Sequence, residues 1–378
     1  MVTSEQRPLL RFLIVQTAAS VVGLQCWMIL FNNFAVEIAG LDGLQVGIIG
    51  SVREIPGFLA LLAVFVMLVI REHRLSALSI VFLGIGTALT GLLPSFSGLI
   101  ITTLIMSFGF HYYETTNQSL TLQYFSTATS PLIFGRLRSL AAATSIVVGL
   151  LLYLMGMVFS YKVMFLTIGG LVVAAGIWGL LQDPTHQQVA PQHRKMIFRR
   201  RYSLYYFLTF MAGARRQIFI AFSVYLLVKV FHFTVTEITL LFVVNNAVNF
   251  VLSPIIGRAI VRFGERWILS IEYGGLIGVF LVYAFTDSKL LVVAMYILDH
   301  ILFNFAIAIR TYFQKVADPA DIAPSMAVGF TINHIAAVVM PAIGGALWMI
   351  DYRIPFVTGA LLSLVSLLAV QRIPRFPQ

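Results

Sequence analysis

Charge is what this sequence has least of. Asp, Glu, Lys and Arg make up 11% of its 378 residues against 59% hydrophobic, and the mean hydropathy is +0.93. A soluble domain devotes about a quarter of its residues to charge. The composition therefore excludes a water-soluble globular fold and predicts an all-α polytopic membrane protein with no sizeable extramembrane domain. Cysteine is scarcer still: Cys26, beside Trp27 in an apolar run, is the only one, so no intrachain disulfide can form and the residue reads as packing. Also missing are a GxxxxGK[ST] phosphate loop, a GxGxxG after a strand and a nucleophile elbow. Neither an ATP-driven pump nor an enzyme is predicted, and no cofactor or resident metal.

What is present is apolar sequence in lengths that fit a bilayer, which takes about 20 residues per helical span. Breaks at charged, Pro-rich or Gly-rich points leave twelve spans, at 10–34, 43–70, 75–93, 97–122, 132–158, 162–181, 203–228, 236–261, 267–286, 290–312, 324–349 and 354–371. The first run is too long for a signal-peptide core and predicts a retained span. The longest polar stretch, 182–201, lies between the sixth and seventh spans. It divides the chain into an N-terminal six-helix bundle at 1–181, a cytoplasmic linker at 182–201 and a C-terminal six-helix bundle at 202–378.

A net charge of +10 would suit nucleic acid if it formed a patch, but the charges follow topology instead. With the N-terminus inside, eighteen Lys and Arg face the cytoplasm, among them Arg71, Arg136, Arg194, Lys195, Arg262 and Arg375. Only Lys162, Lys229, Lys289 and Arg353 face out, and Arg53, Arg215 and Arg216 lie inside spans. This asymmetry predicts an integral protein of a bacterial inner (plasma) membrane with both termini cytoplasmic. Arg199 to Arg201 read as a topogenic anchor to lipid headgroups, and no nucleic acid partner is expected.

The halves look like repeats. Tyr124-Phe125 precedes Pro131 at the same interval as Tyr312-Phe313 precedes Pro319; Gln25 stands twenty residues before Gln45, as Gln217 does before Glu237. Two six-span halves joined by a basic cytoplasmic loop resemble the major facilitator superfamily, over essentially the whole chain. The most specific local match is GRAIVRFGER, Gly257 to Arg266, which is similar to the family's signature gating loop between the second and third helices of each half. Gly257, Arg262, Gly264 and Arg266 match. Val261 stands where an acid is usual and Glu265 where a base is common, while the first-half counterpart, IREHR at Ile70 to Arg74, lacks the glycine frame. The same loop also reads as a short basic connection that fixes topology. The resemblance implies two pseudo-symmetric bundles around a central cavity lined by the first, fourth, seventh and tenth helices, open alternately to either side.

Those four helices are the ones that carry central polar residues: Gln25 in the first; His111, Glu114, Asn117 and Gln118 in the fourth; Arg215, Arg216 and Gln217 in the seventh; Asp299, His300 and Asn304 in the tenth. Ionisable groups cost at least about 2.5–3.5 kcal/mol at the bilayer centre, so they mark partners or a wet cavity. His111, Glu114 and Gln118 step by three and four and share a helix face, as do His300 and Asn304. Glu114 has two compatible readings, a proton or substrate ligand, or the counter-charge of Arg215 or Arg216. Arg53, Arg215 and Arg216 balance Glu54, Glu114 and Asp299, which favours no sign of substrate. Arg53 and Glu54, adjacent and just before Pro56, are expected to need separate partners. Asn245, Asn246 and Asn249 in the eighth span, and Asn333 and His334 in the eleventh, read as interhelical hydrogen-bonding groups or secondary substrate contacts.

The expectation is a monomeric secondary active transporter moving a small solute by alternating access, coupled to protons, with a lean to efflux of a drug-like or amphiphilic compound. The alternatives are uptake, by uniport or symport, of a metabolite or metal complex, and a transporter-like assembly factor or sensor.

Overall fold

A computed structural model describes residues 3–185, 189–193 and 195–374. Arg194 and Arg375, counted above, lie outside the described residues. The fold is all-α. Helices run in the order α1 Arg7–Glu37; α2 Gly43–Phe58, carried on by a 3-10 turn Leu59–Leu62 and a helical turn Ala63–Val66; α3 Glu72–Thr90; α4 Phe96–Tyr124; α5 Ser130–Gly156; α6 Tyr161–Leu180. The second half has α7 Ser203–Lys229; α8 Val235–Phe263; α9 Glu265–Phe285; α10 Lys289–Phe303, carried on by a 3-10 turn Asn304–Ala306 and Ile307–Val316; α11 Ile322–Ile350; α12 Arg353–Val370.

Each helix falls on an expected span. Among the described residues eleven are long and apolar enough to cross a membrane, and α11, at 29 residues, has the length to be the twelfth. Several overrun the hydrocarbon. A 29-residue helix such as α4 is about 44 Å long against a core of about 30 Å, so Arg136, Arg138, Arg310 and Lys315 stand on helical ends rather than in loops.

The repeat signal has a local cause. Gln45 and Glu237 are the third residues of α2 and α8, and each completes a capping box. Asp42 accepts from the Gln45 amide at 2.8 Å, and Gln45 returns an acceptor to the Asp42 amide at 3.1 Å. Thr234 and Glu237 do the same for α8. The boxes satisfy amides that the first turn leaves without partners.

The chain falls into two compact units. Unit 1 comprises 1–125, 140–197 and 318–331; unit 2 comprises 126–139, 198–317 and 332–378. Relative to the covalent halves, the first part of α5 counts with unit 2 and the first part of α11 with unit 1. The packing plan repeats. In unit 1, α3 packs on α4 and α6, α1 on α6 and α2 on α4; in unit 2, α9 packs on α10 and α12, α7 on α12 and α8 on α10.

Candidate functional site

In unit 1 the face of α4 is assembled from short-range polar pairs. His111 is buried and its Nδ1 donates to the Ser107 carbonyl at 2.9 Å, with Ser107 Oγ 3.0 Å away. That bond places the proton on Nδ1 and the lone pair on Nε2. Ser107 Oγ in turn donates to the Arg53 carbonyl, which ties α4 to α2. One turn on, Glu114 is half-buried and accepts from Gln118 Nε2 at 3.2 Å. Asn117 and Gln118 are both buried, and Asn117 Oδ1 has no hydrogen-bond partner among the described residues. Phe110 and Phe330 set ring edges against His111, with centroids 5.1 and 5.9 Å away. The neighbouring Tyr113 turns into packing, its hydroxyl 2.8 Å from Thr17 Oγ1 on α1. Gln25, half-buried on α1, donates to Ser145 Oγ at 3.3 Å.

Arg53 and Glu54 do not need separate partners. Arg53 Nη2 and Nε donate to Glu54 Oε1 at 2.8 and 3.1 Å, the long side chains curling round to meet although their Cβ atoms diverge. Arg53 also lies 5.6 Å over the Trp27 ring. Just beyond Pro56 the α-helix gives way to the 3-10 turn Leu59–Leu62. By contrast Pro254 sits inside α8 without splitting it.

Unit 2 holds a second polar group in its interior. Arg215 is wholly buried; Nη1 donates to Ser366 Oγ on α12, Nη2 lies 3.8 Å from Glu272 Oε1 on α9, and the guanidinium lies 4.2 Å over the Tyr273 ring. Arg215 is thus engaged within its own bundle, while Arg216 is exposed and Gln217 half-buried. Asp299 is also wholly buried. His300 donates from Nδ1 to the Tyr296 carbonyl at 2.9 Å and meets Phe219 edge-on at 4.9 Å.

Glu272 is missing from the sequence-derived set. With it the intraspan acids number four against three arginines, so the three-to-three balance does not hold. Its signal is a carboxylate in the middle of an apolar helix, but α9 is not among the four helices that the family resemblance assigns to a cavity.

Asn249, Asn304 and Asn333 join helices, whereas Asn246 bonds within α8. Asn304 Nδ2 donates to Asn249 Oδ1 at 2.6 Å and to the His300 carbonyl at 2.8 Å, and Arg138 Nε donates to Asn304 Oδ1 at 3.0 Å. Asn333 Nδ2 reaches the Thr209 carbonyl at 3.3 Å, and Asn246 Nδ2 the Phe242 carbonyl at 3.0 Å. Asn245 is buried with neither amide atom hydrogen-bonded among the described residues, and His334 is half-buried.

In the signature loop Gly264 ends α8 with φ +78 and ψ 161, a conformation that only glycine adopts without strain. Gly257 lies so near Pro131 that a Cβ would sit 2.4 Å from its carbonyl oxygen. Arg266 donates to Gln371 Oε1 at 3.2 and 3.0 Å, and Arg262 covers the Phe263 ring. The loop's buried acid is Glu265, 2.9 Å from Lys315, rather than position 261, where Val261 is exposed. A groove of about 570 Å3 at the end of α7, between Lys229, Trp348 and Arg353, holds none of the predicted site residues.

Comparison with known proteins now adds to this geometry. The Major Facilitator Superfamily model matches residues 13–298 and 205–377. Among solved structures, the E. coli fucose:proton symporter FucP aligns with TM-score 0.78 and 13% identity over 99% of this chain and 100% of its own. A bacterial homologue of the iron transporter ferroportin, in an outward-facing state, aligns with TM-score 0.77 and 14% identity over 96% and 98%. The human organic anion transporter MFSD10 aligns with TM-score 0.76 and 13% identity over 98% and 100%. At such identities the likeness is one of fold. No curated protein matches the sequence.

Proposed function

Because the chain belongs to the major facilitator superfamily, we propose that this secondary transporter is proton-coupled and exports a small amphiphilic or drug-like solute by alternating access. The observation that carries the reading is the α4 face, where an imidazole with its lone pair on Nε2, a half-buried carboxylate and two buried amides follow one another within two turns. Phe110 and Phe330 beside His111 add aromatic surface to that polar strip, which suits a solute with both characters. The proteins that share the fold are named for an organic anion, iron and fucose, so fold alone selects no substrate and the lean to an amphiphile rests on these side chains. The eighteen-to-four distribution of Lys and Arg supports a plasma membrane location with both ends of the helical array cytoplasmic.

The test is a solute panel in proteoliposomes under an imposed pH gradient. Gradient-driven movement of an aromatic, amphiphilic solute is expected, falling at least tenfold in Glu114→Gln with unchanged thermal stability. Movement into the proton-rich compartment marks exchange, and so export; movement down the proton gradient marks uptake by symport and overturns the direction. No movement and no solute-dependent thermal stabilisation across a chemically diverse panel overturns the transport reading in favour of an assembly factor.

A further inference from the structure

Several of the unmatched buried polar atoms of unit 2 belong to Asp299 and to residues within electrostatic reach of it. Asp299 has 0% exposure and neither carboxylate oxygen has a hydrogen-bond partner among the described residues; the same holds for Glu272 Oε2, for Arg215 Nε and Nη2, and for the Tyr283 hydroxyl. Asp299 also lies within electrostatic reach of both Glu272 and Arg215.

The charges here do not balance. α8, packed on α10, brings the uncharged Asn245 and Asn249. α7 brings one buried cation, Arg215, its neighbour Arg216 being exposed. α9 brings Glu272, with the Tyr273 ring beneath the guanidinium and Tyr283 about three turns on. α10 brings Asp299, flanked by Tyr296 and by His300, whose Nδ1 proton is committed to the Tyr296 carbonyl. α12 brings only the Ser366 hydroxyl, which accepts from Arg215. Glu272 thus faces the guanidinium at 3.8 Å and Asp299 lies within electrostatic reach of both, where solvent does not reach. A second anion buried there without donors is too costly to persist, and two acids within reach of one cation bind a proton as a pair.

The fold does not require this group. Gln25 and Gln217 occupy matching places in the repeats, and the same register carries Arg215 onto Gly23. Gly23 meets α3 at Leu83, whose Cγ lies 3.0 Å from where a Cβ would be. In unit 1 the matching helices α1 and α3 pack directly through glycine and leucine, whereas in unit 2 α7 reaches α9 through Arg215 and Glu272.

We propose that Glu272 and Asp299 form a one-proton acid pair around Arg215, and that this pair carries the coupling proton, apart from the solute face on α4. The proposal rests on the proton-coupled reading above. In the closed bundle the proton sits on Asp299 while Glu272 balances Arg215; on release it passes to water and the guanidinium is left between two carboxylates.

The experiment measures protonation of the purified full chain without solute, through the protonated-carboxyl C=O band in infrared spectra and proton release on alkaline titration. The wild type is expected to show one such band that disappears as a single proton is released. Asp299→Asn removes both with unchanged thermal stability, because the amide is isosteric with the neutral acid. Glu272→Gln also removes both, because Asp299 then ionises to balance Arg215. Glu114→Gln keeps both. A band and proton unaltered in Asp299→Asn and in Glu272→Gln overturn the acid pair, and gradient-driven transport that persists in either variant overturns its coupling role while leaving the transporter reading intact. A normal band in a protein that moves no solute instead overturns that reading and spares the acid pair.

Discussion

Where α3 meets α4 in unit 1, Gly86 lies so close to Met106 that an added Cβ would be 2.3 Å from its backbone nitrogen; at the matching α9–α10 contact of unit 2, Gly275 faces the side chain of Leu302. The first bundle closes backbone to backbone here, with Gly109 against Leu83 on the same seam and Gly169 of α6 against Ala88 on the α3–α6 seam. The α9–α10 seam of the second closes through a side chain, and that unit buries Arg215, Glu272 and Asp299. One packing plan therefore supports two kinds of interior. Glycine seams suit helices in lipid, where dispersion and close approach replace the hydrophobic effect between helices. Buried ions are rarely a source of net stability. The difference teaches that the ionic group is surplus to the fold.

The largest effect is expected from disturbing that group unevenly. Arg215→Met leaves Glu272 and Asp299 without a cation and costs about 3–5 kcal/mol, read as a lowered thermal midpoint. The triple variant Arg215→Met, Glu272→Leu, Asp299→Leu imitates the apolar Gly23–Leu83 contact of unit 1. It is expected to be as stable as the wild type or up to about 4 kcal/mol more so, and to lose gradient-driven transport. A triple variant as unstable as the single one would make the charges structural and dissolve the comparison.

A smaller effect separates the seams. Gly86→Ala forces a methyl into backbone and costs about 1–3 kcal/mol, because neither helix can yield without breaking its own ladder. Gly275→Ala meets only the end of Leu302, 2.8 Å away at Cδ1, which can change rotamer, and costs under about 1.5 kcal/mol. Thermal midpoints of the two variants test this, and equal losses would remove the distinction between the bundles.

How much of this was legible in the sequence follows from what each feature depends on. Twelve spans could be read because bilayer thickness sets helix length, and the α4 face because His111, Glu114 and Gln118 keep helical spacing. The pairing of Arg53 with Glu54 was not, since side-chain length rather than Cβ direction decides it. Nor was Glu265 as the loop's buried acid, because its partner Lys315 lies 50 residues on. Glu272 shows a different limit. Its cost was visible, but its partner sits on α7, and only the packing of α7, α9 and α12 brings Arg215, Glu272 and Ser366 together.

The smallest effect lies at the outer ends of the repeats. Glu237 and Gln45 fill the same capping position, but only Glu237 is charged, and Lys289 Nζ at the start of α10 lies 2.7 Å from its Oε1. The Lys289 hydrogen bond, followed by the Thr234 amide, holds the Glu237 carboxyl down at about 2 from an ordinary 4.5. A carboxyl with a depressed folded value stabilises the protein above its unfolded value, and that contribution fades as pH falls from about 4.5 towards 2. The pair is exposed at both partners, so the effect is small and weakens with salt. Thermal midpoints of the wild type and Glu237→Gln should therefore differ slightly at pH 6 and converge as pH drops below 4. Gln45→Ala, which removes a cap without a charge, should lower the midpoint equally at every pH. A Glu237→Gln difference as flat as that of Gln45→Ala would reduce the position to capping alone, identical in both repeats.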